Sequence, residues 1–317
     1  MTILVTGAAG YVGNNAVRRL AETGRSVRAM VRSVDKAEKR LADVAGKIEI
    51  VQGDVTDRDG LPALMKDVST VIHLVAISME KRGRSYDEIN YQGTVNVVDA
   101  ADAAGVNRFI NMSQNGADAA SPYRFLRSKG RAQEYVAKFA RNWTALRPSV
   151  IFGPQDEFFN AIAGLVTVTP LIFPRIGGGK ALFQPVAVHD VVEAIARCVN
   201  DEGTIGTELA LGGPEVLTLE EIEKRIFEAM GVRRMLFPAP TRLLRLPVAV
   251  MQRTLPGSPV SSSLLDLLAA PNITPDNALV KHFGIEPTPF SGDHIAYLKQ
   301  NTFGKTMRKL FTGAAAN

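Results

Sequence analysis

Cysteine is nearly absent from this sequence of 317 residues, where Cys198 stands alone. That excludes an intrachain disulfide and any cysteine-rich metal site. Cys198 falls in an apolar helical run, 191–199, and is expected to be a small buried hydrophobe. Histidine is also scarce, with four residues, and no set of Cys, His and carboxylate has metal-ligand spacing. Nothing resembles a Ser-His-Asp nucleophile set. Long apolar runs are missing too. The most apolar stretch, 161–174, is too short to span a bilayer and contains Pro170. No presequence is read, since the first strand starts at residue 2. A soluble, cytoplasmic protein is expected, and low cysteine use fits a reducing compartment. The net charge of +5 among 22% charged residues is no global basic bias, so nucleic acid is not an expected partner.

What is present begins at once. Ile3, Leu4 and Val5 form the short apolar run of a fully buried parallel strand. Gly7, Gly10 and Gly13 follow and open an amphipathic helix that carries Val17 and Leu20. Such a turn presents backbone N–H groups and a helix N-terminus to a pyrophosphate. Three glycines alone are weak evidence, and the same turn can exist without a ligand. The preceding strand, the following helix and a second strand over 26–31 are the context that a dinucleotide site requires.

Strands are expected at 2–6, 26–31, 47–52, 69–75, 107–112 and 143–150. Helices are expected near 11–23, 35–45, 58–66, 85–104, 125–140 and 189–200. This alternation predicts an α/β fold, a doubly wound parallel sheet covered on both faces, with ligands at the carboxyl ends of its strands. After Gly153-Pro154 the pattern loosens. Thr218 and Glu221 form a capping box before a helix at 218–230. The expected division is a dinucleotide-binding domain over 1–155, to which a strand at 181–188 and the helix after it return within 181–213. Residues 156–180 and 214–317 make a smaller, mostly helical region.

Cofactor preference is read at the end of the second strand. An acidic residue there would hydrogen-bond the adenosine ribose and favour NAD. Arg32 stands there instead, beside Ser33 and one turn from Lys36, and a guanidinium suits a 2′-phosphate. NADP(H) is therefore favoured, although a solvated arginine would still admit NAD(H). Asp54, in Gly53-Asp-Val-Thr-Asp57, can accept from the adenine amino group, while Val55 offers backbone atoms. Thr56 or Asp57 could cap a helix at the same time. His73-Leu-Val-Ala76 ends the fourth strand and brings Val75 and Ala76 past the cofactor. His73 itself is expected to pack or cap.

The TGAAGYVG turn, the GDVTD pentad, HLVA, the segment Asn90-Tyr-Gln-Gly-Thr-Val-Asn96 and Arg147-Pro-Ser-Val-Ile-Phe-Gly-Pro154 together resemble short-chain dehydrogenase/reductases of the extended or atypical kind. Residues 147–160, 170–195 and 236–256 look most like the family of NAD(P)H-binding accessory subunits of mitochondrial complex I and their bacterial relatives. The resemblance implies a Rossmann-type fold and a tightly bound dinucleotide, with Tyr11, Val12, Lys129 and Pro148 joining the residues above at the cofactor. For the mitochondrial relatives it implies a structural role.

The superfamily's chemistry uses a Tyr and a Lys four residues apart on one helix, and a Ser at the end of the preceding strand. Ser113 and Lys129 fit the serine and the lysine. Phe125 occupies the tyrosine position, and phenylalanine has no proton to give. Tyr123 is six residues from Lys129, which on a helix turns it about 200° away from Phe125. It could substitute only if the chain is not yet helical there, as Ser121-Pro122 suggests. Impaired proton transfer with binding intact is the main expectation. The alternative is an active NADP(H)-dependent reductase or epimerase acting on a small carbonyl or sugar-like substrate.

Two further features complete the reading. Asp190 is expected to cap the helix that follows, beside a partly buried His189. Residues 232–265 and 294–317 contain no acid at all. In the first stretch Arg233, Arg234, Arg242, Arg245 and Arg253 alternate with apolar residues, a pattern that suits anionic lipid or an acidic partner. The plainer use is a helix pair with arginines reaching water. Pro238, Pro240 and Pro247 argue against one long interfacial helix.

Overall fold

The computed structural model describes residues 1–80, 83–239, 248, 250 and 271–312. The chain divides into two compact units.

The first unit comprises residues 1–148, 188–211 and 276–285. Its sheet is built from β1 (Thr2–Thr6), β2 (Ser26–Val31), β3 (Ile48–Gln52), β4 (Val68–His73), β5 (Arg108–Met112), β6 (Trp143–Pro148) and β11 (Thr207–Leu211). The strand order is β11-β6-β5-β4-β1-β2-β3, and every pairing is parallel. Ile3, Leu4 and Val5 are buried to 3% exposure or less, as a strand covered on both faces requires. The chain leaves β1 for β2 on one side and reaches β4 on the other, so the sheet reverses direction beside β1. In a doubly wound sheet that reversal is where ligands bind.

The helices of this unit are α1 (Tyr11–Glu22), α2 (Val34–Arg40), α3 (Leu61–Leu64), α4 (Gly93–Ala103), α5 (Arg124–Phe139), α7 (Val188–Cys198) and the single turn α9 (Ala278–Lys281). Leu4, Val71 and Phe109 of the sheet pack with Val97 and Val98 of α4 and Val136 of α5. Helices α1 and α7 lie against each other, with Arg19 Nε donating to Glu193 at 2.8 Å. Arg108 is a buried hub: its guanidinium donates to Thr144 Oγ1 and Thr204 Oγ1, both at 2.6 Å, and to the Cys198 carbonyl at 3.0 Å. Cys198 is fully buried, and burial pushes its thiol up to about 12.

The second unit comprises residues 149–187, 212–275 and 286–317. Among its described residues the strands form three pairs, each of two strands: β7 (Ile151–Phe152) with β10 (Val186–Ala187), β9 (Leu182–Phe183) with β12 (Leu217–Thr218), and β8 (Ile172–Ile176) with β13 (Met235–Ala239). Helices α6 (Phe158–Val168), α8 (Leu219–Met230) and α10 (Phe303–Thr312) accompany them. Phe152, Phe159 and Phe290 stack into one core with Phe173, Phe183 and Phe227. The Asp156 carboxylate accepts from the amides of Phe159 at 2.6 Å and Asn160 at 3.1 Å and from Tyr297 Oη at 2.7 Å, which anchors the start of α6. The expected capping box is present at α8, with Thr218 Oγ1 accepting from Glu221 N and Glu221 Oε2 accepting from Thr218 N.

Several expectations change. The strand expected over 181–188 is two short strands, interrupted at Gln184-Pro185, and both belong to the second unit. What continues in the first unit is α7 and β11. The boundary falls after Pro148 rather than at 155, and 276–285 also belongs to the first unit. The helix expected over 58–66 shrinks to the four residues of α3. Asp190 does not cap α7, because that helix begins at Val188; Asp190 is buried in its first turn and the His189 side chain is 65% exposed. Residues 235–239 form a strand paired with β8, not a helix, and a two-stranded ribbon tolerates Pro238 in it. Arg242, Arg245, Arg253 and Pro247 of the basic stretch lie outside the described residues.

Candidate functional site

The candidate site is assembled at the carboxyl edge of the first unit's sheet. Register sets it: Thr6 pairs with Met30 and His73, His73 with Asn111, and Met112 with Leu146. The chain leaves each strand at nearly one level, so the segments that follow line one edge.

The glycine turn follows β1. Gly7 has φ +70°, a conformation that side chains disfavour, and its carbonyl accepts from Gly10 N at 2.8 Å. Gly13 is required for a different reason. A Cβ there would lie 2.1 Å from the Gly7 carbonyl oxygen, so only glycine lets α1 close onto the turn. Gly10 precedes the helix in extended conformation, and Tyr11, Val12 and Gly13 form its first turn, with no acid among them. Amides at that end have no intrahelical acceptor, and the helix dipole favours an anion there. Asn14 is fully buried and ties the turn down by donating to the carbonyls of Gly10 at 2.6 Å and Tyr11 at 2.8 Å. The geometry therefore fits a pyrophosphate.

Arg32 and Ser33 follow β2. Arg32 is exposed, and its guanidinium has no acidic partner among the described residues. Ser33 occupies the position before α2. After β3, Asp54 Oδ1 accepts from Thr56 N at 3.0 Å and Thr56 Oγ1 at 2.9 Å, while the Val55 carbonyl is taken by Asn96 Nδ2 at 2.9 Å. Thr56 therefore turns back onto Asp54 instead of capping α3. After β4, Val75 touches the glycine turn: a Cβ on Gly7 would come within 3.2 Å of Val75 Cγ2. Ala76 is exposed. Pro148 ends β6, buried, and its carbonyl accepts from Asn115 N at 3.0 Å.

His73 packs rather than reacts. It is 1% exposed, with Nδ1 2.8 Å from Thr6 Oγ1 and Nε2 3.0 Å from Thr94 Oγ1. Burial first, and the nearby Lys129 second, lower its pKa to about 3, so the ring is neutral.

Ser113 and Lys129 come together as the sequence suggests. Ser113 is 2% exposed, and its Oγ is a buried hydroxyl without a hydrogen-bond partner among the described residues. Lys129 is 5% exposed, and its Nζ donates to the carbonyl of Met112, the residue before Ser113, at 2.5 Å. Burial lowers its ammonium to about 8. Helix α5 can bring Lys129 this close because position 130 is glycine; a Cβ there would lie 2.2 Å from the Asp118 carbonyl carbon.

Phe125 lies one turn before Lys129, with its ring edge-on to Tyr86 at 5.6 Å. Tyr86 Oη donates to the Ser78 carbonyl at 2.9 Å. Tyr123 is the residue before α5, with φ −85° and ψ 118°, so the chain is extended at that residue.

The segment Asn90–Asn96 supports the resemblance above, but no role was expected of Asn90. Asn90 lies in a wide, π-type turn over Asp87–Gln92 that leads into α4, where a plain helix was expected. Its Oδ1 accepts from Ile77 N at 2.8 Å, and its Nδ2 donates to Ser128 Oγ at 3.1 Å. Ser128 donates to the Phe125 carbonyl at 2.7 Å. Asn90 thus ties the loop after β4 to the start of α5. An asparagine among helical apolar residues was the available signal.

Residues 7–169 match a family model described as NAD(P)H-binding. The chain is 29% identical over 309 residues to the mitochondrial NADH dehydrogenase [ubiquinone] 1 alpha subcomplex subunit 9 of Arabidopsis thaliana, covering 93% of this chain and 77% of that protein. It is 30% identical over 272 residues to a 3 beta-hydroxysteroid dehydrogenase/Delta 5→4-isomerase of Mycobacterium tuberculosis, covering 73% and 70%. Among solved structures, a dTDP-glucose 4,6-dehydratase from Streptomyces venezuelae with NAD bound superposes with a TM-score of 0.73 at 18% identity, covering 99% of both chains.

Proposed function

The chain belongs to the NAD(P)H-binding short-chain dehydrogenases/reductases, and on that premise we propose that it is an NADP(H)-preferring member whose standard tyrosine–lysine chemistry is impaired and whose role is accessory. The observation that carries this reading is Phe125. Two neighbours support it: the Ser113 hydroxyl is buried with no partner among the described residues, and Lys129 bonds the carbonyl of Met112, one residue before Ser113. Only the phenol that would donate the proton is missing.

The residues suited to hold the dinucleotide are those at the sheet edge. Gly7, Gly10 and Gly13 with the start of α1 take the pyrophosphate. Arg32 and Ser33 take an adenosine 2′-phosphate, Asp54 and Val55 flank the adenine, and Val75, Ala76, Lys129 and Pro148 lie on the nicotinamide side. A bound nicotinamide supplies or accepts a hydride. Ser113 would polarise a substrate oxygen, and Lys129 would hold a ribose hydroxyl and carry positive charge below about pH 8. Without a phenol the proton has no donor at position 125, a loss worth about 10²- to 10⁴-fold in rate. The accessory role draws on the similarity to the Arabidopsis protein, whose name makes it a subunit of a mitochondrial NADH dehydrogenase [ubiquinone].

A second reading rests on Tyr123. Because the chain is extended there, the phenol is not bound to the helical rotation that would turn it away. In that case the protein is an active NADP(H)-dependent reductase or epimerase. The test is to follow NADPH absorbance with a panel of ketones and quinones. An impaired site gives no turnover in the wild type. Turnover that Tyr123→Phe abolishes would establish the second reading instead.

A further inference from the structure

The surface of the second unit combines two properties that monomeric soluble proteins usually keep apart. Large apolar side chains stand in solvent: Leu171 at 76% exposure, Ile172 at 53%, Met235 at 72% and Phe237 at 61% along β8 and β13, and Phe303 at 60% and Phe311 at 63% on α10. Basic residues accompany them, Arg233 and Arg234 before β13, and Lys305, Arg308 and Lys309 on α10. No acid occurs in either sequence stretch, 232–265 or 294–317.

Packing brings these elements to one end of α6. Arg234 Nη2 donates to the carbonyl of Val166 at 3.3 Å, and Thr306 Oγ1 lies 3.0 Å from Thr167 Oγ1 on the next residue. Met235 N donates to the Leu171 carbonyl at 3.0 Å, just beyond that helix. Thr306 is the buried residue of α10, so the helix touches the unit through a narrow strip and leaves both phenylalanines outward. Beside Arg233 and Arg234 a groove of about 650 Å³ is lined also by Lys224, Phe227, Val232 and Glu228.

We propose that this end of the second unit docks on the surface of an anionic lipid bilayer, with the phenylalanines and Met235 entering the headgroup–acyl boundary and the lysines and arginines meeting lipid phosphates. The charge pattern selects this occupant. Two sequence stretches that carry bases and no acid complement a negative leaflet, with Glu228 of α8 beside them outnumbered by Lys224, Arg233 and Arg234, and exposed aromatics gain by partial insertion. An acidic protein partner would match the charge but give outward phenylalanines no apolar phase. No described helix is long and apolar enough to cross a membrane, so the contact is peripheral. This proposal is independent of catalytic competence.

The test is co-sedimentation of the full chain with vesicles of equal parts phosphatidylcholine and phosphatidylglycerol, against vesicles of phosphatidylcholine alone. Binding is expected to the anionic vesicles at low salt and to weaken as salt shortens the screening length from about 10 Å at 0.1 M to about 3 Å at 1 M. Each basic residue neutralised among Lys305, Arg308 and Lys309 should cost about fivefold in partitioning. Phe303→Ser with Phe311→Ser should reduce it further while leaving the melting temperature unchanged, since both side chains are exposed. Absence of binding to anionic vesicles at low salt would overturn the proposal. So would equal binding to neutral vesicles, tight binding to polyglutamate without vesicle binding, or a dimer in sedimentation that the phenylalanine variants dissolve.

Discussion

The two units of this chain are built by different means. In the first, seven parallel strands in register bring chain segments to one edge, and backbone geometry does the selecting: a positive φ at Gly7, and no room for a Cβ at Gly13 or Gly130. In the second, the strands come in pairs, and a stack of phenylalanines makes the core. The first unit is therefore specific about what it binds through positions where side chains are forbidden. The second is defined by side chains, buried inside and, at β13 and α10, unusually exposed outside.

The largest effect should come from Gly13→Val. Its side chain has to displace the Gly7 carbonyl or push α1 away, and dinucleotide affinity should fall at least about 100-fold, with an overpacking cost of about 1–3 kcal/mol to stability. Nicotinamide fluorescence titration and thermal melting read both. An equal loss of affinity from a core change in the second unit, such as Phe173→Ala, would break the division of labour.

Arg32→Asp comes next. A charge-assisted hydrogen bond to a phosphate is worth about 1.5–3 kcal/mol, so NADPH should weaken by roughly 10- to 100-fold while NADH changes little. Equal loss of both nucleotides in the same titration would remove the phosphate role.

The second unit should show its own pH dependence. Glu223 is 1% exposed with Oε2 unpartnered among the described residues, and burial first, then Glu220, push its carboxyl up to about 8. Burial also raises Asp156 to about 6 against its hydrogen bonds. Both acids bind their proton more tightly folded than unfolded, where carboxyls titrate near about 4. Their contribution is thus full below about pH 4 and is lost as pH rises through 6 for Asp156 and through 8 for Glu223. Glu223→Gln should stabilise the chain above pH 8, by about 1–3 kcal/mol, and flatten the alkaline fall in melting temperature. Lys129 in the first unit has the opposite sign: its lowered pKa means that stability grows as pH rises above about 8.

The smallest effect sharpens the comparison at a helix end. Thr218→Ala removes half of the capping box of α8 and should cost about 1 kcal/mol in denaturant melts, with dinucleotide affinity untouched.

Legibility in the sequence divides along the same line. The six strands from β1 to β6 lie within two residues of their expected ends, because buried runs bounded by glycine turns write their own limits. The positions of the proposed site residues at strand ends follow from that, and Lys129 reaches the end of β5 through the Met112 carbonyl. Asn90 escaped because its partners, Ile77 and Ser128, are 13 and 38 residues away. The expected cap at Asp190 fails because α7 begins at Val188, ahead of Asp190, which turns a cap into a buried first-turn acid. In the second unit only the capping box of α8 is local enough to read. Strands such as β7 and β9 span two residues, and their partners lie more than 30 residues away.

The central claim is that binding and chemistry are separable in this chain, with Phe125 marking the division. Its most direct test sets wild type beside Phe125→Tyr, measuring NADPH affinity by fluorescence titration and NADPH oxidation with the same carbonyl panel. The expected result is equal affinity within about twofold in both proteins, with turnover only in the variant, restored by the general-acid factor of about 10²- to 10⁴-fold. Turnover in the wild type that Phe125→Tyr leaves unchanged would contradict the claim.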